Sequence, residues 1–119
     1  MCSSVNGTRV FSNTGATAYA CTKAAQVAMA KMLALELAPY RIRVNAVCPG
    51  WIDTRIGDNM EVRGIETRID DIQVPLTGNQ PGRPEQVAEL VLFLASDASS
   101  HITGTEVWID GAESLLRGY

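Results

Sequence analysis

Little in this chain points to nucleic acid or to membranes. Ten basic residues stand against thirteen acidic ones, for a net charge of −3 and a pI near 5.0. No block of Lys and Arg exists of the kind that grips phosphates or anionic headgroups. No apolar run reaches the roughly 20 residues of a membrane span, and no secretory leader opens the chain. These absences predict a cytoplasmic protein with neither nucleic acid nor membrane as partner. Histidine is almost missing, since His101 is the single one. A Ser/His/Asp hydrolase would need a Gly-x-Ser-x-Gly elbow, and none is present, so His101 reads as a surface-turn residue. The three cysteines, Cys2, Cys21 and Cys48, are odd in number and lack metal-ligand spacing. They read as reduced, small, apolar residues. Asp58, Glu61, Glu66, Asp70 and Asp71 also lack such spacing, so no metal is expected.

What is present suits one small soluble domain. The chain has 119 residues, 46% hydrophobic and 19% charged, which allows one core. Its organising stretch is Ala18-Tyr19-Ala20-Cys21-Thr22-Lys23. Tyr19 and Lys23 are four apart, so a helix puts them on one face, one turn above the other. An ammonium beside a phenol favours the phenolate, as acid–base chemistry requires. Alone, such a short pattern also fits an ordinary surface pair.

Around this stretch the elements follow in order. Met1 to Ser4 read as the last residues of a strand. Val5 to Gly15, rich in Gly, Ser, Thr and Asn, read as a loop. A helix is predicted from Thr17 to Ala38, with Thr17 or Thr14 as its cap and Pro39 ending it. It is apolar on almost every side, through Ala24, Ala25, Val27, Ala28, Met29, Met32, Leu33, Leu35 and Leu37. Such a helix needs cover on more than one face, from a sheet and from another subunit or further protein. Met29 and Met32 read as core or interface packing. Arg41 to Cys48 is predicted as a strand, so helix and strand make half of a β-α-β unit. Asn45 within it is expected to satisfy local backbone groups. Trp51 to Gly82 is a long broken stretch, with a short helix expected within Asp58 to Ile69. Pro84 and Glu85 open a second helix to about Ser96, with Val87, Leu90, Val91 and Leu94 as its stripe. A turn over Asp97 to His101 leads to a strand from Thr105 to Asp110.

With these pieces in order, the chain resembles the C-terminal half of a short-chain dehydrogenase/reductase. The likeness rests on Ser3-Ser4, Tyr19-x-x-x-Lys23, Arg43-Val44-Asn45 with Pro49-Gly50-x-x-x-Thr54, Gly82-Arg83-Pro84-Glu85-x-Val87-Ala88, Ile102-Thr103-Gly104, and Val107-x-x-Asp110-Gly111. It covers essentially the whole chain. It implies an α/β fold, the C-terminal part of a doubly wound, Rossmann-like parallel sheet. That part would hold two main strands, two main helices and a long loop.

The resemblance also implies roles. Tyr19 resembles the acid–base that exchanges a proton with the substrate oxygen. Lys23 resembles the residue that eases ionisation of that tyrosine and holds the nicotinamide ribose. Ser4 resembles the serine that hydrogen-bonds the substrate carbonyl, with Ser3 the neighbouring candidate. Pro49, Gly50, Ile52 and Thr54 resemble the turn that contacts the nicotinamide carboxamide. Trp51 and the loop beyond it would shape the substrate pocket. The implied cofactor is NAD or NADP, and the implied substrate a small carbonyl or alcohol. Two departures stand out. Ser4 lies a little farther from Tyr19 than the family's serine does. Ala112 stands where a second glycine is frequent, a change expected to matter little.

A larger departure is an absence. Nothing resembles the family's glycine-rich turn, which seats the pyrophosphate at a helix N-terminus. Residues 1–119 are therefore expected to form a single partial domain without the N-terminal dinucleotide-binding half. Two readings follow: an NAD(P)-dependent oxidoreductase whose isolated 119 residues are inactive, or a truncated, silent, self-associating module. Both predict a homo-oligomer built on the long helix.

Overall fold

The computed structural model describes residues 1–56 and 72–116. The helix expected within Asp58 to Ile69, and the acidic residues beside it, lie outside the described residues. The first helix, α1, spans Thr17–Leu37, and a 3₁₀ turn over Ala38–Tyr40 carries Pro39. Neither Thr14 nor Thr17 caps α1: its N-cap position is Ala16, with no side-chain hydrogen bond. Thr17 is already the first helical residue, and the backbone does the work instead, with Ala20 N–H donating to the Ala16 carbonyl at 2.8 Å.

Strand β1 spans Ala46–Pro49 and pairs in parallel with β2, Glu106–Ile109, with Ala46 opposite Glu106 and Pro49 opposite Ile109. Both strands are shorter than the sequence predicts. Residues 41–45 lie outside the ladder, where Val44 bonds Gly104 N–H and the Thr103 hydroxyl and the Arg43 and Asn45 side chains reach carbonyls at the end of the second helix and in the turn that follows it. Arg41 sits in a left-handed conformation. The Arg43 guanidinium donates to the carbonyls of Leu94, Ser96 and Ile102 at 2.8, 3.1 and 3.1 Å. Asn45 satisfies backbone on both sides, as expected, donating to the Ile102 carbonyl and accepting from Thr105 N–H.

Met1 to Val5 run alongside β1 as a third, incomplete strand. Cys2 bridges Val47 in parallel, Ser3 N–H donates to the Val47 carbonyl at 2.7 Å, and Val5 N–H donates to the Pro49 carbonyl at 2.9 Å. β1 is thus the central strand of the described sheet, as its apolar character demands.

Helices cover the two faces. Val44, Ala46 and Cys48 alternate toward α1, where they meet Val27, Ala30 and Trp108. Arg43, Asn45 and Val47 face a groove that they share with Val91, Leu94 and Ala95 of α2, Pro84–Ala95. Pro84 occupies the first turn of α2, Glu85 follows, and Arg83 N–H is closed off by the Gln86 amide oxygen at 2.8 Å. Along the predicted stripe Val87, Leu90 and Leu94 are half-buried, whereas Val91 is exposed.

Among the described residues only one face of α1 is covered, through Val27, Ala30 and Ala34. Met29, Met32 and Leu35 stand 48%, 63% and 80% exposed, so the two methionines are not core here. A short helix, α3, Glu113–Leu116, follows β2. Before it, Ala112 adopts φ +68°. The missing glycine therefore matters more than expected, since a side chain in this region costs roughly 1–2 kcal/mol.

Candidate active site

The carboxyl ends of the three parallel segments place the predicted residues. In open α/β sheets this is where ligands gather. Tyr19 lies in the first turn of α1 and Lys23 one turn later, both half-buried. The Lys23 ammonium lies 5.4 Å from the centre of the Tyr19 ring and donates to the Cys2 carbonyl at 3.1 Å. The spacing of four thus delivers a phenol and an ammonium to one face.

The Ser3-Ser4 segment is fastened to the same turn of α1. Ser3, 3% exposed, donates its hydroxyl to the Lys23 carbonyl at 2.7 Å. Its oxygen is committed to the helix. Ser4 is also buried, but its hydroxyl oxygen accepts only a local bond, from Asn6 N–H at 3.1 Å, among those described. Three residues on, Gly7 takes φ +82° and presses against α1. A Cβ there would lie 2.2 Å from the Ala20 carbonyl oxygen. Gly7 follows Ser4 and Ala20 follows Tyr19, so this close approach brings the serine loop against the tyrosine turn. Thr8 anchors the loop further, donating to the Ser4 carbonyl and accepting from the Trp108 indole N–H at 3.2 Å.

Cys48 lies below this loop, fully buried, between the Ser3 and Thr8 hydroxyls. Burial pushes its thiol above the usual range, Glu106 adds to the rise, and the two hydroxyls oppose it. Cys2 and Cys21 are exposed, and none of the three cysteines is in a disulfide. His101 is exposed in its turn. Among the described residues no cluster of side chains could hold a metal ion.

Pro49, Gly50, Ile52 and Thr54 form the turn that leaves β1, and its backbone is gripped from two sides. Gly50 N–H donates to the Ile109 carbonyl at 3.1 Å. Trp51 N–H donates to the Glu113 carboxylate at 2.9 Å. On the other side Ile52 bridges Gly82 in parallel: Gly82 N–H donates to the Trp51 carbonyl and Asp53 N–H to the Gly82 carbonyl, each at 2.9 Å. In such a bridge the middle residue points its own N–H and C=O to the opposite edge. Ile52 therefore offers one donor and one acceptor away from Gly82. The Thr54 hydroxyl sits just beyond, accepting weakly from Ile56 N–H at 3.5 Å.

Sequence reasoning missed Glu113 and Thr8, and it did not foresee that Gly82 pairs with Ile52. Glu113 is 3% exposed, although it lies in a short polar tail. The signal that could have found Thr8 is the Ser-x-x-x-Thr spacing of a self-bonded turn. Glu113 gives no local signal, because its partner is 62 residues away.

Comparison with known proteins gives the family. A family model described as enoyl-(acyl carrier protein) reductase matches residues 1–112. A 3-oxoacyl-[acyl-carrier-protein] reductase of Thermotoga maritima is 45% identical over 102 residues, covering 86% of this chain and 40% of that protein. A 3-ketoacyl-ACP reductase from Sinorhizobium meliloti superposes with a TM-score of 0.84 at 55% identity, over 98% of this chain and 48% of the other. A 3-oxoacyl-[acyl-carrier protein] reductase from Brucella melitensis with bound NAD gives 0.72 at 38% identity, over 92% and 38%. The chain spans less than half the length of these relatives. With its Tyr-x-x-x-Lys helix, Pro-Gly turn and Rossmann-like α/β sheet, it belongs to the short-chain dehydrogenase/reductase family of oxidoreductases.

Proposed function

We propose that these residues form the proton-handling part of an NAD(P)-dependent oxidoreductase acting on a small carbonyl or alcohol. One observation carries the reading. Tyr19, Lys23 and the Ser4 loop are fastened to one turn of α1, beside the Pro49–Thr54 turn. A nicotinamide carboxamide needs an acceptor and a donor, and the outward C=O and N–H of Ile52, with the Thr54 hydroxyl, match that need. The residues present therefore fit the cofactor's nicotinamide end. When bound, the nicotinamide would supply or accept the hydride.

This chain's own groups handle the rest. In the reducing direction the Tyr19 hydroxyl passes its proton to the substrate oxygen as that oxygen gains charge. The Ser4 hydroxyl donates a hydrogen bond to the same oxygen. Lys23 steadies the phenolate left behind and turns to the ribose hydroxyls, exchanging its bond to the Cys2 carbonyl. In this reading residues 1–119 are one partial domain, and a dinucleotide-binding part carries most of the affinity for cofactor. The protein then works in the cytoplasm, and among the described residues no helix is long and apolar enough to cross a membrane.

The test joins this chain to the remaining half of a relative such as the Sinorhizobium reductase. Tyr19→Phe should abolish turnover and leave cofactor affinity nearly intact, while Lys23→Met should damage both. Turnover that survives Tyr19→Phe overturns the reading. The 119 residues alone should bind NADH and NADPH weakly and turn over no simple ketone; micromolar binding would contradict that division of labour.

A second reading has its own support. The exposed Met29, Met32 and Leu35 row on α1 suits a self-associating module without activity. The two readings agree on assembly and part on turnover.

A further inference from the structure

Resting on that proposed function, we infer that Glu113 is a positioning residue for the nicotinamide turn, acting through the Trp51 peptide. Glu113 opens α3, is 3% exposed, and accepts from Trp51 N–H at 2.9 Å. A buried carboxylate that accepts a backbone N–H makes one of the stronger hydrogen bonds available to a loop. Its own placement is fixed from behind. The Asp110 carboxylate accepts from Ala112 N–H and Ser114 N–H at 3.0 and 3.1 Å, and Glu113 N–H donates to the Asp110 carbonyl at 3.0 Å.

Gly50 leaves the room this contact needs. A Cβ at Gly50 would fall 2.7 Å from the Glu113 carboxylate carbon and 2.6 Å from the Asp110 Cβ. The carboxylate thus packs against the bare backbone just before the peptide it binds.

The Trp51–Ile52 connection is where this matters. Glu113 holds the N–H of Trp51, and Gly82 N–H holds its C=O. The two bonds fix both peptide planes that meet at Trp51. The second of those planes contains Ile52 N–H, and a planar trans peptide points that N–H opposite to the Trp51 C=O. Glu113 itself does not touch the cofactor. It anchors the peptide just before the one that carries Ile52 N–H, and Gly82 holds that second plane.

The experiment uses the chain joined to the remaining half of a relative, as above, with amide hydrogen exchange at Trp51 and a titration with nicotinamide mononucleotide read at the Ile52 amide by NMR. Glu113→Ala should speed exchange at Trp51 at least tenfold and weaken the Ile52 response to nicotinamide mononucleotide at least fivefold. Glu113→Gln, which keeps an acceptor oxygen, should restore both to within about threefold. Circular dichroism checks that each variant is folded. If the alanine variant unfolds, Glu113→Asp, with its carboxylate withdrawn by one methylene, takes its place with the same expected direction. Unchanged exchange at Trp51, or an unchanged Ile52 response in a folded variant, overturns the role given to Glu113. No response at Ile52 in the unaltered chain sinks the nicotinamide reading itself, and the positioning role with it.

Discussion

The hydroxyl of Ser3 donates to the carbonyl oxygen of Lys23 at 2.7 Å, from a side chain only 3% exposed. The two neighbouring serines are therefore not equivalent. Ser3 ties the incomplete first strand to α1, and Ser4 faces the loop. Ser3→Ala should lower stability by about 1–2 kcal/mol, as for a buried hydrogen bond lost with its packing. Ser4→Ala should cost less than half of that. Paired denaturant titrations decide it, and a larger loss for Ser4 would reverse the assignment.

Gly7→Ala should be far more damaging. The added carbon would meet the Ala20 carbonyl at 2.2 Å, and the backbone there is left-handed. Overpacking and strain together cost roughly 3 kcal/mol or more. Ala112→Gly works in the opposite direction. It relieves the φ +68° position and should raise stability by about 0.5–1 kcal/mol, after the added freedom of the unfolded chain is counted. Thermal melts of the two variants should move to opposite sides of the unaltered chain.

Much of this site was legible in the chain itself. Tyr19 and Lys23 are four apart, and a helix can treat that spacing in only one way. The parallel order of the segments followed from a long helix set between strand-like runs. The ends of elements were less legible. Arg43 and Asn45 look like strand residues by alternation, yet the ladder starts only at Ala46 and their side chains reach carbonyls 51 to 59 residues away. Thr14 and Thr17 look like caps, yet the turn from Asn13 to Ala16 closes on its own backbone. Glu113 reads as a tail residue until Trp51 is brought to it. Each of these depends on a partner that local pattern cannot name.

Cys48 gives a pH-dependent prediction. Its thiol is held above the usual range by burial, so the folded chain favours the neutral form. The associated stability is fully present below the ordinary thiol range near about 8.5. It is lost as pH rises toward the folded value, where the unfolded chain releases a proton that the folded chain keeps. The denaturation midpoint should fall above that range, and Cys48→Ala should flatten the fall. Cys2 and Cys21 should react with a thiol reagent in the folded chain, with Cys48 reacting only on unfolding. Three thiols reacting at one rate in the folded state would contradict this.

Self-association should follow from α1. Met29, Met32 and Leu35 present a row of apolar side chains to solvent, and across the sheet Leu92 and Phe93 of α2 are also exposed, at 71% and 43%. Sedimentation equilibrium should show a concentration-dependent homo-oligomer, and Met32→Glu with Leu35→Glu should shift it toward monomer. A compact monomer at every concentration would show that these side chains need no cover.

The pairing of Ala46 with Glu106 also bears on how the chain reaches its fold. Parallel partners so distant in sequence cannot zip from a tight turn. The whole intervening segment must be closed into a loop before the first ladder bond forms. Helix α1 needs only neighbours in sequence. It should gather early, with the Val27 and Ala30 face waiting for β1, and the Arg43 clamp should close with the sheet as the late, rate-limiting step. Arg43→Leu would then slow the final folding phase and leave the earliest helical signal unchanged.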